Sequence, residues 1–271
     1  MDLLADYVDV RGPELAAPER LAYAGQALGA FWSGKTADQV PGHLMAYRQT
    51  RNVSDGTLRR ELGVLRAALN HAVQTGVMIR AIAVPMPPPP PPKDRFLQRN
   101  EVAALIRAAR REPKARSYLP LFILLGYYTG QRKGAILSLR WSQVDLSARR
   151  IDFNSPGRRQ TNKRRPRIPM PAKLYGHLSR LRKRAPDIAP VLHLDGQPLA
   201  DLKKSFASAC KRADLADVTP HTLRHTAAIQ LMKRGVKTWE AAGYLGMSEE
   251  MLVRVYGHHH PDYLRGAAEA L

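Results

Sequence analysis

The chain has 271 residues, and its formal net charge of +20 predicts a polyanionic partner, with nucleic acid the first candidate and an acidic membrane surface the second. The longest apolar stretch, 119–128, is about half of the ~20 residues that a membrane span needs, and the N-terminus lacks the pattern of a signal peptide. A single cysteine, Cys210, excludes an internal disulfide and is expected to be buried. Together, these features predict a soluble, cytoplasmic protein.

Helical periodicity dominates residues 1–85, which we predict to form a small helical bundle. One apolar stripe, in a helix that Ser54 or Asp55 can cap, comprises Leu58, Leu62, Leu65, Leu69 and Val73. An earlier helix is indicated by Leu21, Ala24 and Leu28. The other faces of this helix carry Arg59, Arg60 and Arg66. These arginines either bind DNA or are simply solvated.

An unbroken proline run, Pro87–Pro92, follows this bundle. Proline favours extended polyproline geometry, so residues 86–94 are predicted to be a semi-rigid linker. Six residues at about 3.1 Å each span roughly 19 Å, close to the width of a DNA duplex. A proline motif that binds an adaptor domain is the competing interpretation, but the position between two helical segments favours a linker.

Residues 95–271 are predicted to form a second domain, mainly helical with a small sheet. Asn100 can cap a helix that runs to about Ala109. Strand-like segments are Ile151–Phe153 and a stretch that ends at Met170, with a turn at 155–157 between them. Further helices are predicted at 118–128, 133–139, 199–213, 220–234, 238–245 and 249–256.

Two arginines and a histidine are placed to hold a phosphate. Arg132 follows a turn glycine, and the planar arginine fork can donate two hydrogen bonds to non-bridging phosphate oxygens. Because Thr219-Pro220 is suited to begin a helix, His221 and Arg224 share one face of its first turns, where the helix N-terminus also favours an anion. His221 and His225 could instead bind zinc, although Arg224 would repel the metal cation.

A basic hairpin at 158–165 supplies candidates for DNA contact and for proton donation. Predicted contacts to the DNA backbone are Arg158, Arg159, Arg164 and Arg165. Lys163 lies in the same hairpin, and a flexible ammonium can protonate a leaving alkoxide, a task to which the high pKa of arginine is poorly suited. The chemistry of the hairpin alone does not single out Lys163 among its neighbours.

Tyr256 ends a helix that Ser248 can cap and Gly257 can end. A phenol with an ordinary pKa of about 10 needs adjacent cations or a base to act as a nucleophile. Arg132 and Arg224 could provide that field. A tyrosine at a helix end is, however, also a common packing residue.

Taken together, Thr129–Arg132, Leu139–Trp141, His221–Thr226 and Tyr256, with the hairpin lysine between them, resemble the catalytic domain of the tyrosine recombinase (phage integrase) family. The resemblance covers about residues 95–265, and residues 1–85 are similar to the helical core-binding domain of that family. It implies a mainly α chain with three parts: a helical core-binding domain at 1–85, a linker at 86–94 and an α+β catalytic domain at 95–271 that clamps DNA. A separate arm-binding domain is expected to be absent.

The resemblance also implies strand cleavage and rejoining without a metal or another cofactor. Tyr256 would attack the scissile phosphate of double-stranded DNA at an attachment-type site, form a 3′-phosphotyrosyl link and release a 5′-hydroxyl. Arg132 and Arg224 would stabilise the transition state, Lys163 would protonate the leaving oxygen, and His221 would assist proton transfer. The expected protein is a site-specific recombinase for DNA integration and excision, monomeric in solution and tetrameric on DNA, helped by accessory DNA-bending proteins.

Two positions depart from the family pattern. Ala135 stands where an acidic residue is usual, and Met247 stands where histidine or tryptophan is usual. Alanine cannot orient His221 by a hydrogen bond, and a thioether cannot donate one to phosphate. Activity that is reduced, or assembled only with the substrate, is therefore predicted, and not its loss, because the directly catalytic residues are all present.

Three other functions stay open. A non-catalytic DNA-binding protein, such as a decayed prophage integrase, would explain the charge and both departures, but not the survival of all five reactive side chains. A type IB topoisomerase-like strand transferase would use the same chemistry without pairing two DNA sites. A metal-dependent nuclease built on His258–His260 would be sensitive to EDTA.

Overall fold

The computed structural model describes residues 2–15, 17–89, 94–155, 157–158, 164–183 and 189–271. Contacts divide the chain into two compact units, Met1–Pro92 and Lys93–Leu271. The architecture is mainly helical with two small antiparallel sheets, which confirms the predicted fold class. Every helix in the described part of the chain is too short or too polar to cross a bilayer.

The helices of the first unit pack around one apolar core. In its described residues they are α1 (Asp2–Arg11), α2 (Pro18–Trp32), α3 (Val40–Thr50) and α4 (Asp55–Gln74). α4 packs against both α1 and α2, because its leucines recur at helical spacing and are buried together. Ser54 caps α4 as predicted, by accepting a hydrogen bond from the Thr57 amide. The buried stripe ends at Ala72, while Val73 is only half-buried.

The segment that leads into the proline run is fastened to the first unit. Val84 is buried in the apolar core, and Met86 packs against it. Arg48 donates a hydrogen bond to the Pro85 carbonyl at 2.6 Å, and Arg59 donates another to the carbonyl of Pro87. Proline lacks an N–H but keeps its carbonyl acceptor, so arginine side chains can anchor a proline-rich segment. The predicted linker therefore begins as part of the first unit.

The second unit is built around α6, an almost wholly apolar helix. Its described helices are α5 (Arg99–Arg110), α6 (Leu119–Thr129), α7 (Lys133–Leu137), α8 (Ala172–Arg182), α9 (Lys203–Arg212), α10 (Pro220–Lys233), α11 (Thr238–Leu245), α12 (Glu249–Tyr256) and α13 (Arg265–Glu269). α6 packs along α10 and α5 in a core that also buries Cys210, as predicted. This packing places the ends of α6, α10, α11 and α12 close together.

A small sheet lies beside this core. β1 (Val144–Asp145), β2 (Arg150–Asp152) and β3 (Arg167–Pro169) are antiparallel in the order β1-β2-β3. Ile151 pairs with Ile168, and both are buried, because successive side chains of a strand point to opposite faces. The segment 158–165, predicted to be a basic hairpin, falls between β2 and β3 in the sequence and is described only in part. A second hairpin, β4 (His193–Leu194) and β5 (Gln197–Pro198), was not predicted.

Three predicted helix boundaries were wrong by two residues or more. α5 begins at Arg99 and not after Asn100, because Gln98 and Glu101 form a reciprocal capping box. α7 ends at Leu137 instead of residue 139. α9 begins at Lys203 instead of residue 199, because the chain before it is occupied by the hairpin of β4 and β5.

Candidate active site

The candidate site is built on the first turns of α10. Thr219 precedes the helix and Pro220 is its first residue, as predicted. His221, Arg224 and His225 therefore lie three and four residues apart on one face. Most of α10 is buried, and the helix that carries this face packs against α6 and α11.

The Arg224 side chain is 3% exposed and is held by backbone carbonyls. Its Nη1 donates to Gly130 O at 2.8 Å and to Leu245 O at 2.6 Å. Both carbonyls stand at helix C-termini, where the partial negative charge of unpaired carbonyls favours a cation. The Nη2 atom is also buried, and within the described residues it has no acceptor. A buried guanidinium donor without an acceptor is costly, so an anion that reached this atom would be bound favourably.

Two glycines in the left-handed conformation end the helices whose last carbonyls accept hydrogen bonds from Arg224. Gly130 (φ +62°) ends α6, and Gly246 (φ +66°) ends α11. A Cβ at Gly130 would overlap the Leu245 side chain, and one at Gly246 would lie 2.9 Å from the carbonyl oxygen of Arg164. Positive φ and lack of space both require glycine here.

We expect Gly130→Ala to lower the free energy of unfolding by about 2–4 kcal/mol, because left-handed backbone strain and overpacking both add a cost. The measurement is urea unfolding of the full chain. Gly243→Ala is the matched control, because a Cβ there meets nothing within 4 Å and alanine favours the helix. Equal stability of the two variants would contradict the packing described for Gly130.

Arg132 lies close enough to Arg224 for its positive charge to act on that group. Its Nη1 donates to the Arg164 carbonyl at 3.0 Å and to the Gly246 carbonyl at 3.2 Å. Desolvation lowers the pKa of Arg132, and desolvation together with the positive charge of Arg132 lowers the pKa of Arg224 to about 10. Both groups stay charged at neutral pH, and an anion bound between them would relieve their repulsion.

His221 lies at the edge of this cationic site. The residue is exposed on one side, while its ring packs edge-on against His225 with centroids 4.6 Å apart. Desolvation, followed by the nearby His225, Arg224 and Arg132, lowers the pKa of His221 to about 4. The ring is therefore neutral at pH 7, and an anion in the site would raise that pKa.

Tyr256 reaches the same place from the end of α12. It is 5% exposed, and its hydroxyl lies 2.7 Å from Nδ1 of His225. Burial raises the pKa of Tyr256, and the charge of Arg224 partly offsets that effect. The structure thus brings four predicted residues together: Arg132, His221, Arg224 and Tyr256. The sequence predicts no catalytic role for His225, which it offers as a zinc ligand and as part of the family motif, although its spacing of four from His221 is a usable signal.

The basic hairpin approaches Arg132 through its described residues. Arg158 is near enough for its charge to add to desolvation in lowering the pKa of Arg132. Arg164 has an exposed side chain, while its carbonyl accepts the hydrogen bond from Arg132. Arg159 and Lys163 lie outside the described residues.

The other arginines predicted to bind DNA differ in exposure. Arg60 and Arg66 are exposed on α4. Arg59 is half-buried, because it holds the proline segment. Arg165 donates to the Ser138 hydroxyl at 2.7 Å and is also half-buried.

The two departures from the family pattern take different positions. Ala135 is 3% exposed and belongs to the main apolar core. Met247 packs against the cluster that contains Leu252 and Tyr256. The thioether thus supports the tyrosine helix by packing.

The histidines after Tyr256 were candidates for a metal site. His258 and His259 have ring centroids 4.1 Å apart, and His259 also packs against Phe96. Across the described residues, no group of three or more histidine, cysteine, aspartate or glutamate side chains is arranged to hold a metal ion.

Comparison with known proteins identifies similar folds. The model of the phage integrase family matches residues 95–262. Among the curated proteins, no sequence matches this chain significantly. The Tn1549 transposon integrase (residues 82–397), solved with circular intermediate DNA, is 17% identical over 99% of this chain and 98% of its own, with a TM-score of 0.77. A lambda integrase dimer bound to a COC' core site is 18% identical over 94% of this chain and 76% of its own, with a TM-score of 0.67.

Proposed function

The chain belongs to the phage integrase family, and we infer from this membership and from the site geometry that Tyr256 is the nucleophile with which it cuts DNA. The protein is a site-specific tyrosine recombinase, which cleaves and rejoins DNA through a tyrosine-linked intermediate. One observation carries the assignment of the site. The buried Nη2 of Arg224 lacks an acceptor among the described residues and lies within the electrostatic reach of both Arg132 and Tyr256.

The scissile phosphate would lie between the two guanidinium groups. Arg132 and Arg224 would donate hydrogen bonds to its non-bridging oxygens and stabilise the charge that develops in the transition state. Tyr256 would attack the phosphorus, which leaves a 3′-phosphotyrosyl link and a 5′-hydroxyl. The resemblance assigns protonation of the leaving oxygen to Lys163 and assistance to proton transfer to His221. The guanidiniums supply the positive charge that other phosphoryl-transfer enzymes take from metal ions.

Double-stranded DNA at an attachment-type site is the proposed substrate. The net charge of +20 and the exposed Arg60, Arg66 and Arg164 support binding to its backbone. The Tn1549 and lambda integrases of this fold were solved with DNA. We propose that the chain assembles as a tetramer on DNA, with accessory DNA-bending proteins, and acts in the cytoplasm.

The test is a suicide-substrate assay with the full chain in EDTA. Nicked duplexes tiled across the DNA that flanks the coding sequence trap the cleaved state, because the short 5′ fragment diffuses away. We expect a covalent protein–DNA band on a denaturing gel, with the DNA 3′ end mapped to the peptide that contains Tyr256.

Other results would favour the alternatives. Salt-sensitive binding without a covalent band would support a non-catalytic DNA-binding protein. Relaxation of supercoiled plasmid without site preference would support a topoisomerase-like activity. Cleavage that EDTA abolishes would support a metal-dependent nuclease.

The unusual residue at position 247 gives a further prediction. Met247→His should raise the cleavage rate by about 10- to 150-fold, because a donor to a charged phosphate is worth about 1.5–3 kcal/mol and thioether sulfur has no donor. Met251→His is the matched control, since Met251 lies on the exposed side of the same region. A Met247→His variant that cleaves no faster than the wild type would contradict the prediction.

A further inference from the structure

The hydrogen bond between Tyr256 and His225 links the nucleophile to a base. Tyr256 Oη and His225 Nδ1 are 2.7 Å apart, within the range of a good hydrogen bond. The two side chains come from different helices, α12 and α10, and their ring centroids are 5.7 Å apart. His225 is half-buried and Tyr256 is buried, so the pair is shielded from bulk water.

A buried phenol needs a proton acceptor before it can attack phosphorus. Burial disfavours the phenolate and raises the pKa of Tyr256, while Arg224 only partly opposes this shift. The site arginines carry no acceptor, because a guanidinium is a donor only. Of the described side chains, His225 is the group that contacts the tyrosine hydroxyl by a hydrogen bond.

We propose that His225 is a further catalytic residue, the general base that takes the proton of Tyr256 during cleavage and returns it during rejoining. This inference rests on the proposed role of Tyr256 as the nucleophile. It differs from the role that the family resemblance gives to His221, whose ring contacts His225 instead of the tyrosine hydroxyl.

The step balances in both directions. As Tyr256 Oη bonds to phosphorus, its proton passes to His225 Nδ1, and the bond from phosphorus to the 5′ oxygen breaks. The 5′ oxygen takes a proton from the general acid, the role proposed for Lys163. In rejoining, the 5′-hydroxyl returns its proton to that same group as its oxygen attacks phosphorus. The bond from phosphorus to the Tyr256 oxygen breaks, and that oxygen recovers its proton from His225.

The charges around His225 suit a base. Desolvation and then the charge of Arg224 lower its pKa, while Asp94 raises it, and His221 and Tyr256 are its ring neighbours. The ring is therefore neutral at pH 7 and free to accept a proton. A phosphate beside Arg224 would offset that positive charge, so the imidazolium becomes easier to form in the DNA complex.

The first experiment is single-turnover cleavage of the suicide duplex across a range of pH. His225→Asn offers an amide oxygen near the position of Nδ1, so it can still accept a hydrogen bond but cannot take the proton. We expect its cleavage rate to fall about 10²- to 10³-fold, with DNA binding unchanged. The acid limb of the pH profile should also be lost, because that limb reports protonation of His225 below the ordinary histidine range. His177→Asn, on α8, is the matched control and should retain the wild-type rate and profile.

A second substrate measures the contribution of the general base separately from that of the general acid. A duplex with sulfur in place of the scissile 5′ oxygen releases a thiolate, which has a much lower pKa than an alkoxide and leaves without a general acid. The defect of His225→Asn should persist on this substrate, while a Lys163→Ala defect should largely disappear. Imidazole in solution should partly restore cleavage to His225→Ala.

The outcomes distinguish this inference from the assignment of Tyr256. A wild-type chain that forms no covalent product on any duplex would overturn both. Wild-type cleavage with an equally active His225→Asn would overturn the base alone, as would a His225→Asn defect that the sulfur substrate repairs. Loss of the acid limb in His221→Asn but not in His225→Asn would assign the base to His221.

Discussion

Replacing Tyr256 with phenylalanine is expected to abolish the covalent protein–DNA product completely while DNA binding is retained. The substitution removes only Oη, the atom that would bond to phosphorus, and keeps the ring that packs with Leu252 in the apolar cluster. The loss of the hydrogen bond to His225 should cost only about 1 kcal/mol of stability. The measurement is the suicide-substrate gel, with binding followed by mobility shift on the same duplex.

Tyr244→Phe is the matched control for this variant. Tyr244 is a half-buried phenol, and its hydroxyl donates one hydrogen bond to the Tyr128 carbonyl at 3.1 Å. It should form covalent product at the wild-type rate, because that hydroxyl does not contact the phosphate site. A covalent band that persists in Tyr256→Phe would assign the nucleophile to another residue.

Arg224→Lys should lower the rate of cleavage by about 10³-fold. Arg224 has two tasks: its Nη1 holds two helix ends together, and its Nη2 remains for the phosphate. A lysine ammonium is a single point that cannot reach both carbonyls and the phosphate. Loss of one preorganised donor to a developing charge typically costs 10²–10³ in rate, and loss of the second anchor adds to it. Single-turnover cleavage at saturating protein measures the effect apart from binding.

Arg234→Lys, just after the end of α10, is the control for charge and helix context. Its side chain is exposed and bonds only weakly to Gln230, at 3.5 Å, so the wild-type rate is expected. An Arg224→Lys variant within tenfold of the wild type would contradict the phosphate-binding role. A variant that fails to bind DNA would point instead to a collapsed site, which urea unfolding would reveal.

The helices could be predicted from sequence where apolar periodicity or a capping residue determines them locally. The stripe of leucines in α4 and the apolar run of α6 predicted their helices, because a periodic apolar face must be buried. Predicted helix boundaries were wrong where two residues could cap the same helix. Asn100 is a better capping residue than Gln98 in isolation, but the pairing of Gln98 with Glu101 moved the start of α5. The short hairpin of β4 and β5 has too few residues for a period to show.

The amino-acid sequence by itself determined which reactive groups the protein has and where two of them stand together. His221 and Arg224 share a face because a helix repeats every 3.6 residues, and the Thr219-Pro220 start sets where that helix begins. Tertiary structure alone decided how these groups work together. The carbonyls of Gly130, Leu245 and Gly246 reach the arginines from distant parts of the chain, as does the hydroxyl of Tyr256 that meets His225. Such contacts depend on how whole helices pack, and no local pattern in the sequence encodes the distance between two helix ends.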